Sequence, residues 1–263
     1  MEKQPVLFVG HGSPMNAIED NPYSRQWRRI GSQLPTPQAI LCVSAHWFTA
    51  GTQVTDAPAL KMIYDMYGFP DALYRVRYSA PGSPRFAGIT RELLSAQVDN
   101  SWGLDHGSWS VLVHLFPKAD IPVFQLSVDR QATPQAHYAM GEKLRELRRQ
   151  GVLILGSGNV VHNLGMLSWG MDGGYPWADT FDRYIKDSIL ERQFSRVADY
   201  QRAGDAAAYA FRTLDHFAPL LYVLGASDAS DRITVFNDAR AMGSMSMTGY
   251  LFTDDDKEST QNE

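Results

Sequence analysis

The chain has a single cysteine, Cys42, in 263 residues, so no disulfide can form within it. Cys42 lies in the apolar run Ile40-Leu41-Cys42-Val43, where burial favours a structural thiol over a nucleophile. There is no cysteine cluster and no H-E-x-x-H pair, which excludes the common zinc-finger and zinc-protease sites. A G-x-S-x-G elbow is missing as well, so an α/β-hydrolase serine is excluded. No apolar run approaches the roughly 20 residues that cross a bilayer. The opening MEKQPVLFVG holds too short an apolar stretch for a signal peptide. Positive charge is not in excess: the net charge is -5, which gives no electrostatic reason to expect nucleic acid. The densest basic group, residues 143–149, alternates with apolar residues and reads as a solvated helix face. These absences lead to the expectation of a cytoplasmic protein that partners neither membrane nor nucleic acid.

What the chain does have is a series of short apolar runs. Residues 6–10, 40–45, 123–128, 152–156 and 220–225 are continuous in apolar character, and 233–236 and 247–252 follow them as further strand candidates. Continuous runs fit strands covered on both faces, as in a mostly parallel sheet. Helical patterns separate several of them. Residues 134–149 place Ala136, Met140, Leu144 and Leu147 on one stripe behind a Thr133-Pro134 start signal. Residues 177–200 space Phe181, Ile185, Ile189 and Val197 in the same way. The alternation predicts an α/β fold: a single domain over residues 1–253, with a central, mostly parallel or mixed sheet flanked by helices. Between residues 49 and 109 the pattern weakens into a stretch rich in Tyr, Pro and Gly, a candidate substrate wall. Residues 254–263 are polar and read as a disordered tail.

Histidines stand where such a sheet puts its chemistry. His11 follows the first run and is flanked by Gly10 and Gly12, which let the backbone approach a bound group. His46 ends the second run, His162 follows GSGNVV, and His216 precedes the run LLYVLGA. Ligands in open α/β sheets bind beyond the carboxyl ends of the strands, and imidazole is the commonest transition-metal ligand. A metal site at the strand ends is therefore expected. The G-x-G of Gly156 and Gly158 lacks the third glycine of a dinucleotide fingerprint, because position 161 is Val. His106 reads as a loop residue, and His114 and His137 fall in helical segments as background.

The segments HGSPM, SAHW, YDMYGFPDALYRVRYSAPGSP, GLDHGSW, GSGNVVHN and LDHFAPLLYVLGAS occur in this order along nearly the whole chain. In this combination the sequence resembles the class III extradiol ring-cleaving dioxygenases, and most closely the bacterial members of their 4,5-DOPA branch. The resemblance implies one divalent metal per chain, Fe(II) for turnover and Zn(II) as isolated. It places His11 and His46 as two ligands. The third position falls at His216, where protocatechuate-cleaving relatives carry Glu. His162 matches the catalytic acid/base, close enough to the metal to count as a fourth ligand, and His106 matches a second catalytic histidine near the substrate hydroxyls. The implied partners are a catechol such as DOPA and dioxygen. The implied product is a ring-opened semialdehyde acid, which in the case of DOPA closes to betalamic acid. Two rival readings use the same residues. One is a zinc hydrolase with three His on the metal and His162 as base; the other is a metal-binding partner protein without ring cleavage.

Overall fold

Runs of Val, Ile and Leu with no polar alternation have to be covered on both sides, and the structure, a computed structural model, covers them. It describes residues 3–254. The chain runs through β1 (Val6–Gly10), α1 (Pro22–Gln33), β2 (Ala39–Thr49), β3 (Gln53–Val54), α2 (Asp71–Tyr74), α3 (Pro84–Leu94) and β4 (Gln97–Val98). It continues through α4 (His106–Leu115), β5 (Val123–Asp129), α5 (Pro134–Arg149), β6 (Val152–Gly158), α6 (Pro176–Leu190), α7 (Phe194–Ala198) and α8 (Asp205–Ala210). It closes with α9 (Ala218–Ala226), β7 (Arg232–Phe236), β8 (Arg240–Ala241), β9 (Met245–Ser246) and β10 (Gly249–Thr253).

Eight strands form one mixed sheet in the order β4-β3-β5-β2-β6-β1-β10-β7. Its centre, β5-β2-β6-β1, is parallel, and β10 and β7 add an antiparallel edge. Two apolar cores lie on the two faces. Leu41, Val43, Ile154 and Phe8 point to one, packed beneath α5, α6 and α9. Ile40, Cys42, Leu153 and Leu7 point to the other, against α1 and α4. Successive residues of one strand thus serve opposite cores, which is why these runs show no alternation. The buried Cys42 thiol is pushed far up by burial, as befits a packing residue.

The expected helix at 134–149 forms over those residues, with Thr133 Oγ1 accepting from the Ala136 backbone N–H. Four expectations need correction. Residues 220–225 are not a strand: they belong to α9, which starts with Pro219 in its first turn and is buried on every side. A helix apolar all round has no stripe for periodicity to detect. The single helix expected over 177–200 is broken into α6 and α7 around Arg192, whose φ of 56° no helix continues. The stretch 49–109 holds β3, α2, α3 and β4, and His106 opens α4 instead of lying in a loop. The tail expectation falls on residues 255–263, outside the described residues. Asp254 is described and pairs with Lys3 at 3.0 Å. Among the described residues no helix is long and apolar enough to cross a membrane.

Candidate metal centre

The parallel strands end at one edge of the sheet, and the histidines gather there. His11 follows β1, its backbone N–H donating to Gly158 O at 3.0 Å and so extending the β1–β6 ladder by one residue. His46 lies inside β2, beyond Val43, where the β2–β5 register shifts. His216 comes from the turn before α9, tied to the end of β6 by the Asn159 N–H donating to His216 O at 2.9 Å. A Cβ on Gly158 would stand 2.1 Å from that same carbonyl, so only glycine lets the turn come so close. His216 therefore reaches the strand ends from a helix start, not from the strand that the sequence suggested.

Ring nitrogens of His11, His46 and His216 all lie within 4.8 Å of one another. His11 Nε2 and His46 Nε2 are 3.2 Å apart. Their other nitrogens show where the protons sit. The Ser157 hydroxyl donates to Gly107 O at 2.5 Å, so it accepts from His11 Nδ1 at 3.0 Å. Asp65 Oδ2 lies 2.7 Å from His46 Nδ1. Burial acts to raise the Asp65 carboxyl, but the bonds from His106 and His46 outweigh it and hold it far below the usual carboxylate range. Ionised, it can only accept. With Nδ1 protonated on both rings, the two Nε2 atoms face each other across a gap that a cation would fill, either a metal ion or the second proton of a charged His46 ring. Ligand nitrogens on a tetrahedral zinc ion stand about 3.3 Å apart, close to the spacing observed. His216 Nε2 is buried with no hydrogen-bond partner among the described residues. The donor set fits a metal ion.

Burial and the neighbouring imidazoles depress His11 and His216 well below the usual histidine value, which keeps them neutral. His46 goes the other way: burial lowers it, but the Asp65 bond and the Asp105 charge raise it on balance. His162 lies outside the trio, stacked on His216 with centroids 3.5 Å apart and planes 5° from parallel. Burial pulls its pKa down to about 4. His106 flanks the opposite member, its centroid 3.9 Å from His46. The two therefore bracket the trio at different ends. His114 and His137 stand apart from it as expected, bonded to Asn16 O at 2.7 Å and to the Tyr222 hydroxyl at 3.1 Å.

Reading the sequence missed the residues that hold these rings. Asp65 lies in the aromatic segment YDMYG, and Ser157 lies between Gly156 and Gly158, read as an incomplete dinucleotide fingerprint. Asp105 is fully buried and collects Ser44 Oγ at 2.6 Å, Gln125 Nε2 at 3.0 Å and Trp102 Nε1 at 3.0 Å while capping α4. It fastens α4, β2 and β5 together behind His46. Gly107, beside it, leaves room for the His46 ring, since a Cβ there would meet His46 Cδ2 at 3.0 Å.

Comparison with known proteins places the chain in a family. The chain is 46% identical over 254 residues to a 4,5-DOPA dioxygenase extradiol of Escherichia coli K12, covering 93% of each chain. It is 37% identical to a protein of the same name from Beta vulgaris, over 94% of this chain and 96% of that one. A crystal structure of an uncharacterised Escherichia coli K12 protein superposes with a TM-score of 0.82 at 42% identity, covering 94% of this chain and 99% of that chain. The profile of the catalytic LigB subunit of aromatic ring-opening dioxygenase matches residues 5–253, and with that span the chain belongs to this family of dioxygenases.

Proposed function

We propose that the chain opens the ring of a catechol, DOPA being the favoured candidate for 4,5-cleavage, with dioxygen at one divalent metal held by His11, His46 and His216. The observation that carries this is the pair of Nε2 atoms 3.2 Å apart, with Ser157 bonded behind the His11 ring and the Asp65 carboxylate 2.7 Å behind the His46 ring. When bound, Fe(II) supplies a Lewis acid for adjacent catechol oxygens and a redox path to dioxygen; Zn(II) supplies only the first. The named relatives support the 4,5-DOPA reaction, whose product closes to betalamic acid.

The protein's own groups do the proton work. His162, neutral near pH 7 because burial has lowered it to about 4, takes a hydroxyl proton from the incoming catechol and returns it to the ring-opened product. The stacked ring of His216 holds it in place. His106 faces the hydroxyls from the other end. Tyr64, packed on Trp109 with centroids 5.7 Å apart, belongs to the segment proposed as the wall for the substrate's side chain.

Anaerobic reconstitution with Fe(II), followed by exposure to oxygen with a panel of catechols, tests this. Oxygen-dependent formation of a yellow ring-opened product is expected with Fe(II) and not with Zn(II). In His216→Ala, metal content per chain by elemental analysis should fall along with turnover. Full occupancy with unchanged cleavage in that variant would remove His216 from the ligand set.

A further inference from the structure

One carboxylate serves two rings that do different jobs. Asp65 Oδ2 is 2.7 Å from Nδ1 of His46, assigned to the metal. Asp65 Oδ1 is 3.0 Å from Nδ1 of His106, assigned to the substrate, and also accepts the His106 backbone N–H at 2.9 Å, at the start of α4. His46, Asp65 and His106 form a second group whose ligand atoms lie within 4.8 Å of one another. His106 Nδ1 already bonds Oδ1 and His46 Nδ1 lies at ion-pair distance from Oδ2, so the trio is a carboxylate bridging two rings and not a second metal site.

We propose that Asp65 is a positioning residue that locks His46 and His106 together in the Nδ1–H tautomer, so that one presents a lone pair to the metal and the other a lone pair to a substrate hydroxyl. An ionised carboxylate offers acceptors and no donor. Any imidazole that bonds it through Nδ1 must carry the proton there and leave Nε2 bare. No hydrogen bond occupies His106 Nε2 among the described residues. His106 is thereby an acceptor for a catechol O–H, and it orients the substrate before any proton moves. Asp65 sits in the aromatic segment that faces His106, so the proposed substrate wall and the metal site share one hinge-point of hydrogen bonds. This inference rests on the metal assignment proposed above.

Asp65→Asn tests it asymmetrically. An amide has one acceptor and one donor end. Its oxygen should stay on the side where two N–H groups of His106 converge, which turns the NH₂ group toward His46 Nδ1. His46 must then move its proton to Nε2, directly into the space between it and His11. In the metal-free protein, ¹⁵N imidazole shifts at a pH where the rings are neutral should show Nδ1–H for both histidines in the wild type and Nε2–H for His46 in Asp65→Asn. Zinc affinity by calorimetry should fall about 10–100-fold, the range for loss of a partner behind a ligand. Unchanged tautomers with zinc affinity within threefold of wild type would overturn the proposal. So would Nε2–H at either ring in the wild type, a result that needs no folded variant. Both readouts are made without substrate or oxygen. A wild type that showed these tautomers yet cleaved no catechol would defeat the proposed reaction and leave the role of Asp65 standing.

Discussion

At the scale of single residues, the same side chain takes opposite parts in different surroundings. His137 shows the contrast with the metal centre. It is fully buried in α5, Nδ1 against the Tyr222 hydroxyl at 3.1 Å, and its Nε2 has no partner among the described residues. Burial lowers it from 6.5 to about 4, opposed only by the more distant Asp129 charge. The unfolded chain therefore binds more protons than the folded one between those two values. Its contribution to stability is complete above pH 6.5, shrinks as pH falls, and is gone near pH 4. By linkage the full swing is about 3 kcal/mol. In His137→Phe, urea unfolding followed from pH 7 to pH 4 should lose less stability on acidification than wild type. Parallel curves for the two proteins would show that His137 does not titrate in this window. The histidines that the fold brings together were legible as candidates because they flank apolar runs. Asp65 and Ser157 were not, since a lone carboxylate or hydroxyl in a loop has no period, and only the fold shows which ring it meets.

At the scale of elements, the centre of the sheet was readable and its periphery was not. β1, β2, β5 and β6 are buried on both faces, and that condition writes itself into composition as unbroken Val, Ile and Leu. The same condition made α9 look like a strand, because a nine-residue helix buried on all sides has the same composition. β3 and β4, two residues each, are too short to leave any pattern. The junction between α9 and β6 is where this matters for the site. Gly158→Ala would put a methyl group fixed on Cα 2.1 Å from His216 O, a backbone atom, so neither can rotate aside. The turn must then move away from the strand end, at a cost of about 1–3 kcal/mol for overpacking. Zinc affinity should fall in this variant along with the urea midpoint, because the shifted segment carries His216, the proposed ligand. Loss of stability with undiminished zinc affinity would mean that the turn accommodates the methyl group without moving His216.

At the scale of the whole molecule, the edge of the sheet opposite the histidines is fastened by charge. Arg148, with no exposed surface, grips Asp231 at 2.7 and 3.0 Å and also donates to Gln4 O and Ala226 O. Lys3 joins Asp228, Asp231 and Asp254, tying the start of the described chain to its end. Asp231→Ala leaves the buried guanidinium with only the longer contact to Asp228, at 3.5 Å, as a charged partner, a loss of up to about 3–5 kcal/mol. Thermal unfolding should show that drop while zinc affinity of the folded protein holds, since the knot and the metal centre lie at opposite strand ends. A parallel loss of zinc affinity would show that the two ends are coupled. The strand order has one more consequence, which concerns time. β1 is made first, yet its neighbours are β6 and β10, the latter ending at Thr253. A ribosome therefore releases VLFVG with neither neighbour yet made, and the strand waits through most of translation for the partners that cover its edges. Such a strand is open to pairing with other chains. Its edge toward β6 can close once residue 158 has been made, and its edge toward β10 stays open until Thr253 has been made.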